Sequence, residues 1–257
     1  MNWIDTHTHI YLDEFREDRQ DMVRRAKDRG IESVLLPNID LTSLPLMMET
    51  VEQFPDFAFP MIGLHPCSVK EDFKSQLNFL ETKLNDHDWI AVGEIGLDLY
   101  WDKSYYEEQQ QAFRVQLEWA RSLQIPVSIH TRDAMDETIA IVKSMQDGNL
   151  SGVFHCFGSS VDQAKEIINL GFYLGIGGVV TYKKANLIQV LQQVGLDFVV
   201  LETDAPYLSP VPFRGKRNEC AFIAEIGIFI AEGLGLSNQE VALKTTTNAK
   251  NVFRKLG

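Results

Sequence analysis

Histidines and carboxylates recur in this sequence at the ends of short apolar segments. His7 and His9 follow the segment WID, and Glu94 interrupts the apolar segment VGEIGLD. Imidazole and carboxylate groups, without thiolates, are typical ligands of Zn²⁺, Mn²⁺, Fe²⁺ and Mg²⁺ in enzymes. These residue types therefore predict a metal centre that activates water for hydrolysis. The full set of candidates is His7, His9, His65, Glu94, His130, His155 and Asp204.

The number of candidate ligands indicates two ions rather than one. One closed tetrahedral site needs about four ligands, and six of these residues are suitable. Two divalent ions (Mg²⁺, Mn²⁺ or Zn²⁺) that share one carboxylate would use all six, and Glu94 is the candidate bridge. A single strand-end histidine is more often a hydrogen-bonded structural residue, and Glu94 alone could be a buried ion-pair partner. The metal interpretation therefore depends on the whole set: His7, His9, Glu94, His130, His155 and Asp204.

The spacing of the first two histidines adds a geometric expectation. Successive side chains on a strand point to opposite faces, so a two-residue spacing places His7 and His9 on one face. Asp5 precedes His7 by the same spacing and is expected on that face, one layer deeper. There it would fix the tautomer of a ligating histidine.

Eight apolar or β-branched segments alternate with amphipathic, charged segments along the chain. This order predicts parallel strands joined by helices, and eight such units predict a (β/α)8 TIM barrel. A doubly wound open sheet is the alternative, because periodicity does not establish closure. The final segment, 237–253, is expected to be a capped helix. The predicted strands are 3–5, 33–37, 59–66, 90–98, 126–131, 152–157, 172–178 and 198–206.

Composition limits the class of protein and its partners. The chain has 257 residues, 45% of them hydrophobic, and no linker-like segment, which favours one domain over 1–257. Three cysteines and an N-terminus without signal-peptide character favour a cytoplasmic location, with no membrane and no obligate protein partner evident. The net charge of −12 opposes nonspecific coating of nucleic acid. Any contact with DNA must therefore be local.

At these residues the sequence resembles the TatD family of metal-dependent hydrolases, within the amidohydrolase superfamily. The resemblance implies a TIM barrel, a divalent metal centre and deoxyribonuclease activity, often on DNA 3′ ends. One departure is visible, since Cys220 follows Glu219 where the family commonly has proline. The matching segments are DTHTH at 5–9, GLHP at 63–66, VGEIGLD at 92–98, PVSIHTRDA at 126–134, GVFHCFGSS at 152–160, LETDAPYL at 201–208 and RGKRNE at 214–219.

The resemblance also implies how the ligands divide. His7, His9, Glu94 and Asp204 would hold one ion, while Glu94, His130 and His155 would hold the second. His65 would then lie near the scissile phosphate.

The expected reaction is hydrolysis of a phosphodiester, with 3′-5′ exonuclease action on single-stranded or frayed DNA ends. Asp204, Glu94 and His65 are the candidate catalytic residues, with Asp204 taking a proton from the attacking water. Arg132, Arg214, Arg217 and Tyr207 are candidates for substrate binding; the alternative is a surface charge or ion pair for the arginines and loop packing for Tyr207. Tyr100 and Trp101 join Tyr207 as side chains that could stack on a terminal base.

Two other functions remain open from the sequence. The same metal ligands would activate water against a small-molecule amide or lactone, as in other amidohydrolases. A non-catalytic metal-binding scaffold in a nucleic-acid assembly is the third interpretation.

Overall fold

Eight parallel strands alternate with helices in the computed structural model, which describes residues 1–256. The strands pair in chain order from β1 to β8. Thr6, just after β1, donates its backbone N–H and its hydroxyl to the Leu201 carbonyl of β8, at 3.0 Å each, which nearly closes the barrel. The strands are β1 Trp3–Asp5, β2 Ile31–Leu36, β3 Ala58–Ile62, β4 Ala91–Asp98, β5 Val127–Arg132, β6 Gly152–Phe154, β7 Phe172–Ile176 and β8 Val199–Leu201.

Helices follow each strand in the outer ring. The predicted (β/α)8 barrel is therefore confirmed, and the open sheet is excluded. Within the described residues the α-helices are α1 Arg19–Asp28, α2 Ser43–Gln53, α3 Phe73–Thr82, α4 Tyr106–Leu123, α5 Met135–Met145, α6 Val161–Asn169, α7 Leu187–Val194, α8 Ile223–Leu234 and α9 Asn238–Val252.

The last helix, α9, begins at a capping box and ends beneath the barrel. The Ser237 hydroxyl accepts from the Glu240 N–H, and the Glu240 carboxylate accepts from the Ser237 N–H, as expected for the segment 237–253. Its C-terminal end packs against residues contributed by six strands, so α9 closes the N-terminal end of the barrel. This apolar cluster contains Ile4, Leu35, Met61, Ile90, Ala91, Val153, Val200, Ala249, Val252 and Phe253.

The C-terminal ends of the strands form the opposite, open end. Four predicted strands extend by more than one residue beyond the strands of the structure, because β3 ends at Ile62, β6 at Phe154, β7 at Ile176 and β8 at Leu201. His65, His155 and Asp204 lie in the loops that follow β3, β6 and β8, and His7 and His9 lie just after β1, which ends at Asp5 as predicted. Loops above a rigid barrel are the usual position of catalytic groups in this fold.

Among residues 1–256, no single helix has the length and apolar character that crossing a membrane requires. One bent pair, Cys220–Leu234 with Asn238–Val252, meets that test only when its two parts are combined.

Candidate metal centre

The seven candidate residues converge at the open end of the barrel. Hydrogen bonds between neighbouring loops position their backbones: His155 N–H donates to Ile129 O at 2.9 Å, and Asp204 N–H donates to His7 O at 2.9 Å. His7 and His9 lie beyond β1, but the chain there still bonds to both neighbours, because Thr8 N–H donates to Leu35 O at 3.0 Å. The two histidines therefore still face the same centre.

Glu94 lies in the middle of β4, whereas the sequence placed it at the strand end. The pairing of β4 with β5 is irregular between Val92 and Ile95. Here the backbone bonds to Asn38 instead, with Asn38 N–H donating to Gly93 O at 3.0 Å and Glu94 N–H donating to Asn38 O at 3.1 Å. This interruption of the ladder presents the Glu94 carboxylate to the centre.

One oxygen of Glu94 belongs to a first group of possible ligands. Glu94 Oε2 lies 3.2 Å from His7 Nε2 and 3.6 Å from His9 Nε2. Asp204 Oδ1 lies 3.9 Å and 3.5 Å from the same two nitrogens. Ligand atoms about 2.0 to 2.1 Å from a tetrahedral ion stand roughly 3.3 Å apart, so these separations suit one cation.

The other oxygen of Glu94 belongs to a second group. Glu94 Oε1 lies 2.8 Å from His130 Nδ1 and 3.0 Å from His155 Nε2, and these two nitrogens are 3.4 Å apart. The carboxylate therefore stands between two nitrogen clusters, each next to a different oxygen. A bridging carboxylate in a two-metal centre has this relation to its ions.

Hydrogen bonds fix which nitrogen the ligating histidines direct to the centre. The Tyr11 hydroxyl donates to Pro37 O at 2.7 Å, so its oxygen accepts from His9 Nδ1 at 2.9 Å. His9 Nε2 is then unprotonated and free to bind a cation. His7 Nδ1 lies 3.0 Å from the Ser128 hydroxyl, while His7 Nε2 is buried without a hydrogen-bond partner among the described residues. Burying a polar nitrogen without a partner is unfavourable, and binding a metal ion would satisfy it.

Two carboxylates that the sequence reasoning did not single out hold the remaining pair of histidines. Asp98 Oδ2 lies 2.9 Å from His130 Nε2, and Glu202 Oε1 lies 3.3 Å from His155 Nδ1. Burial alone would raise the pKa of Asp98, but the hydrogen bond with His130 and those from Trp101 and Tyr100 lower it to about 2. Carboxylates in this position orient a ligating imidazole and increase its basicity. The available signal was their position, inside the motifs VGEIGLD and LETDAPY.

Asp5 does not take the role that its spacing predicted. Its carboxylate accepts from the Thr203 N–H at 2.9 Å and from the Thr203 hydroxyl at 2.6 Å, and it contacts no histidine ring. The strand ends at Asp5 and the chain bends at Thr6 and His7, so the alternation of faces does not continue from Asp5 to His7. That expectation was wrong.

His65 differs from the other histidines in its tautomer. Its Nδ1 accepts a hydrogen bond from the Cys67 N–H at 3.0 Å, so the proton of the neutral ring is on Nε2. His65 Nε2 lies 3.3 Å from Glu94 Oε1 and faces the cavity as a donor. This arrangement suits hydrogen bonding to an oxyanion, and the atoms of His65, Glu94 and His130 also lie close enough together to hold a metal ion.

Ion pairing across the centre shifts the pKa values of its members. Burial alone would raise the pKa of Glu94, but the charges of His65 and His155 hold it well below its ordinary value. Burial alone would lower the pKa of His155, but Glu94 and Glu202 hold it well above its ordinary value. The cluster therefore attracts cations, and protons compete with metal ions for the same atoms.

A cavity of about 750 Å³ opens above these residues. Arg132 and Tyr207, two of the predicted substrate-binding residues, lie on its wall together with Trp101. Arg214 is exposed on the loop after β8, and its guanidinium stacks over the Tyr182 ring at 4.2 Å.

Arg217 lies apart from the lining residues of this cavity. Its Nη1 and Nη2 donate to the two carboxylate oxygens of Asp18 at 2.7 and 2.8 Å. Its guanidinium also lies over the Phe15 ring at 4.4 Å. This arginine therefore holds the loop in place.

The loop that carries the Cys220 departure is firmly held. Cys220 is fully buried, with its Sγ 3.6 Å from the Thr8 hydroxyl. The Asn218 amide donates to Thr203 O at 2.7 Å and to Tyr207 O at 2.6 Å. A small buried thiol therefore fills this position without loosening the segment that follows Asp204.

Comparison with known proteins identifies relatives of this chain by sequence and by fold. The family model for TatD related DNase matches residues 4–254. Uncharacterized metal-dependent hydrolase YabD of Bacillus subtilis (strain 168) is 35% identical over 251 residues, which cover 97% of this chain and 98% of that protein. A Pantoea vagans (strain C9-1) protein named 3'-5' ssDNA/RNA exonuclease TatD is 31% identical over 247 residues, covering 94% and 95%. The crystal structure of YJJV, a TatD homologue from Escherichia coli K12, superposes with a TM-score of 0.92 at 28% identity, covering 98% of each chain.

Proposed function

The chain belongs to the TatD family of metal-dependent hydrolases, and we propose that it is a nuclease that removes nucleotides from the 3′ end of single-stranded DNA. In this proposal the protein would hold two divalent ions, with Glu94 contributing to both sites. His7, His9 and Asp204 would complete the site of one ion, and His130 and His155 would complete that of the other.

The position of Glu94 carries the proposal. Its two oxygens lie beside different nitrogen clusters, 3.2 Å from His7 Nε2 on one side and 2.8 Å from His130 Nδ1 on the other. Two ions in such an arrangement lower the pKa of water and stabilise both the attacking and the leaving oxygens of an in-line displacement at phosphorus. That symmetry suits a phosphodiester, in which charge develops on several oxygens at once.

The protein's own side chains supply the proton transfers and the remaining charge stabilisation. The side chain of Asp204 is 14% exposed, and interactions with His9, His155 and His7 outweigh its burial and keep its pKa below the ordinary value. It is therefore ionised and able to accept a proton from the attacking water. His65 Nε2–H donates to a phosphoryl oxygen as negative charge develops there.

The name of one relative and the charge of this chain favour the end of a single strand as substrate. The Pantoea vagans relative is named for 3'-5' action on single-stranded DNA and RNA. This chain carries a net charge of −12, so its surface does not attract a long duplex. A recessed cavity at the barrel mouth accepts a strand end more readily than a duplex interior.

The test is release of nucleotides from 5′-labelled single-stranded DNA by protein stripped with EDTA and then titrated with Mg²⁺, Mn²⁺ or Zn²⁺. We expect stepwise shortening with at least one ion, abolished in Glu94→Ala and in Asp204→Ala. Lys103→Ala, an exposed residue outside the centre, is the control and should behave as the native protein. Absence of cleavage with every ion, despite stoichiometric bound metal, would overturn the nuclease proposal and point to amide or lactone substrates.

A further inference from the structure

Three side chains form an exposed aromatic platform at one edge of the cavity: Tyr100, Trp101 and Arg132. Trp101 is 70% exposed and Tyr100 is 51% exposed, although both are large aromatic residues. Their rings pack edge to face, with centroids 4.9 Å apart and planes 86° apart. Exposed aromatic surface beside a cavity is typical of a binding site.

Arg132 is held against these rings without an acidic partner. Its guanidinium carbon lies 3.7 Å from the Tyr100 centroid and 5.3 Å from the Trp101 centroid. Across residues 1–256 no carboxylate lies within salt-bridge distance of it. Stacking fixes the plane of a guanidinium and leaves its N–H groups available, so this cation is placed to bind an anion.

The platform is tied directly to the metal centre. Asp98 Oδ1 accepts from the N–H groups of Tyr100 and Trp101 at 3.0 and 3.3 Å, while Asp98 Oδ2 holds His130. Arg132 follows His130 by two residues on β5. One carboxylate therefore sets the position of both a candidate metal ligand and the platform, so a ligand bound on the platform has a fixed place relative to the reacting bond.

We propose that this platform binds the nucleotide adjacent to the scissile phosphate. An unpaired base stacks on Trp101, and Arg132 donates to the phosphate of the same nucleotide. This inference rests on the proposed nuclease function and narrows its substrate. Because a base must be unpaired to expose its face, the platform selects single strands over duplexes, and because stacking does not engage base edges, it has little sequence preference.

Intrinsic fluorescence offers a direct binding test that needs no catalysis. The chain has four tryptophans, and Trp3, Trp89 and Trp119 are buried, so quenching by a stacked base reports on Trp101. We expect a short oligothymidylate to quench the EDTA-treated native protein and to leave Trp101→Phe unquenched. Quenching that persists in Trp101→Phe would place the bound strand elsewhere.

Affinity and turnover complete the test. By anisotropy of a labelled oligothymidylate, Trp101→Ala should bind about tenfold more weakly. Trp101→Phe, which keeps an aromatic face, should remain near native, and Lys103→Ala is the control for charge on the same loop. Arg132→Lys should weaken binding as well, because it keeps the charge but loses the stacked plane. Equal affinity of Trp101→Ala and native protein would overturn the proposal.

A substrate without a base separates this inference from the proposed function. With metal restored, Lys103→Ala should keep the native rate on bis(p-nitrophenyl) phosphate and the native KM for single-stranded DNA, whereas Trp101→Ala should raise that KM. A fall in kcat for single-stranded DNA with an unchanged KM in Trp101→Ala would contradict the platform. If the native protein hydrolyses neither substrate, the nuclease function fails, and the binding measurements above still decide whether the platform binds a strand.

Discussion

The hydrogen bond made by Nδ1 determines whether Nε2 carries a lone pair, as in His9, or a proton, as in His65. At His9, Tyr11 accepts from Nδ1 and leaves Nε2 as a lone pair that faces the centre. At His65, Nδ1 itself accepts from the Cys67 N–H, which places a proton on Nε2. Residues of the same type at one barrel mouth therefore divide into a candidate ligand and a candidate hydrogen-bond donor.

This division predicts different effects for two alanine substitutions. His65→Ala should keep native metal stoichiometry but lose about 10²- to 10³-fold in kcat, the range seen when one oxyanion donor is removed. His9→Ala should lose bound metal together with activity. Elemental analysis of both purified variants, beside steady-state kinetics, separates the two roles. Metal loss in His65→Ala equal to that in His9→Ala would make His65 a ligand.

The carboxylate that holds His130 should control metal affinity without touching the ion. We expect Asp98→Asn to weaken metal binding by about 10- to 100-fold, because the imidazole loses its orientation and part of its basicity. The measurement is isothermal titration of Mn²⁺ into metal-free protein. Asp102→Asn is the matched control, since Asp102 is partly exposed on the following loop, where its carboxylate accepts from the Ser104 N–H and pairs with Lys70. Equal affinities in the two variants would contradict this role.

At the residue scale, sequence reasoning could find the candidate ligands but not their supports. The types and strand-end positions of residues such as His7, Glu94 and Asp204 were visible in the chain. The roles of Asp98 and Glu202 depend on histidines on or just after other strands. The barrel's register decides which carboxylate contacts which imidazole, and the sequence does not show that register. Asp5 failed for a local reason, since the bend after β1 breaks the alternation that the prediction assumed.

At the scale of elements, an ion-pair latch joins the loop after β8 to the start of α1. Asp18, immediately before α1, accepts from Arg217 and also pairs with Arg25 at 3.0 Å. Arg25 in turn donates to Glu219, with Nη2 to Oε2 at 2.6 Å. The latch fixes the segment that follows Asp204, and so it stabilises one wall of the metal centre.

The Asp18 carboxylate in this latch makes the free energy of unfolding depend on pH. Hydrogen bonds from Arg217 and Arg25 lower the pKa of Asp18 from 3.8 to about 2. A carboxylate with a depressed folded-state pKa stabilises the protein above pH 3.8, and that contribution disappears as pH falls through about 2. Because the side chains of Asp18 and Arg217 both remain about one third exposed and solvent screens the pair, we expect about 1 kcal/mol from it, or roughly 2 to 4 °C in Tm.

Thermal melts of the native protein and of Asp18→Asn test this contribution. The difference in Tm should be complete at pH 6 and should shrink as the pH is lowered from about 4 toward 3. A difference that stays constant or grows with acidification would mean that the latch does not act through the ionised carboxylate.

The order of the elements was predictable because apolar and amphipathic segments alternate throughout the chain. Their ends were less predictable: the functional loops contain apolar residues such as Leu64 and Ala205, which prolong the strand pattern beyond the last ladder bond. The pairing of Arg217 with Asp18 was beyond local reasoning, because 199 residues separate the two. Periodicity fixes faces and neighbours within an element, whereas contacts between loops follow from barrel closure.

At the scale of the whole molecule, the net charge of −12 limits how a nucleic acid is held. Arg132 lines the cavity, and Arg214 lies exposed on the loop after β8, which also carries the lining residues Tyr207 and Leu208. With two contacts to a single strand, log Kobs should fall with log[salt] with a slope of about −1.4. Oligothymidylate binding from low to moderate salt measures this slope, and a slope of about −4 or steeper would instead indicate a long basic track with some six contacts.

The central claim is that Glu94 bridges two ions, and anomalous diffraction from crystals grown with Mn²⁺ tests it most directly. We expect two anomalous peaks about 3.5 to 4 Å apart, one on each side of the Glu94 carboxylate. One should lie beside His7 and His9, and the other beside His130 and His155. A single peak, or two peaks that Glu94 does not join, would contradict the claim.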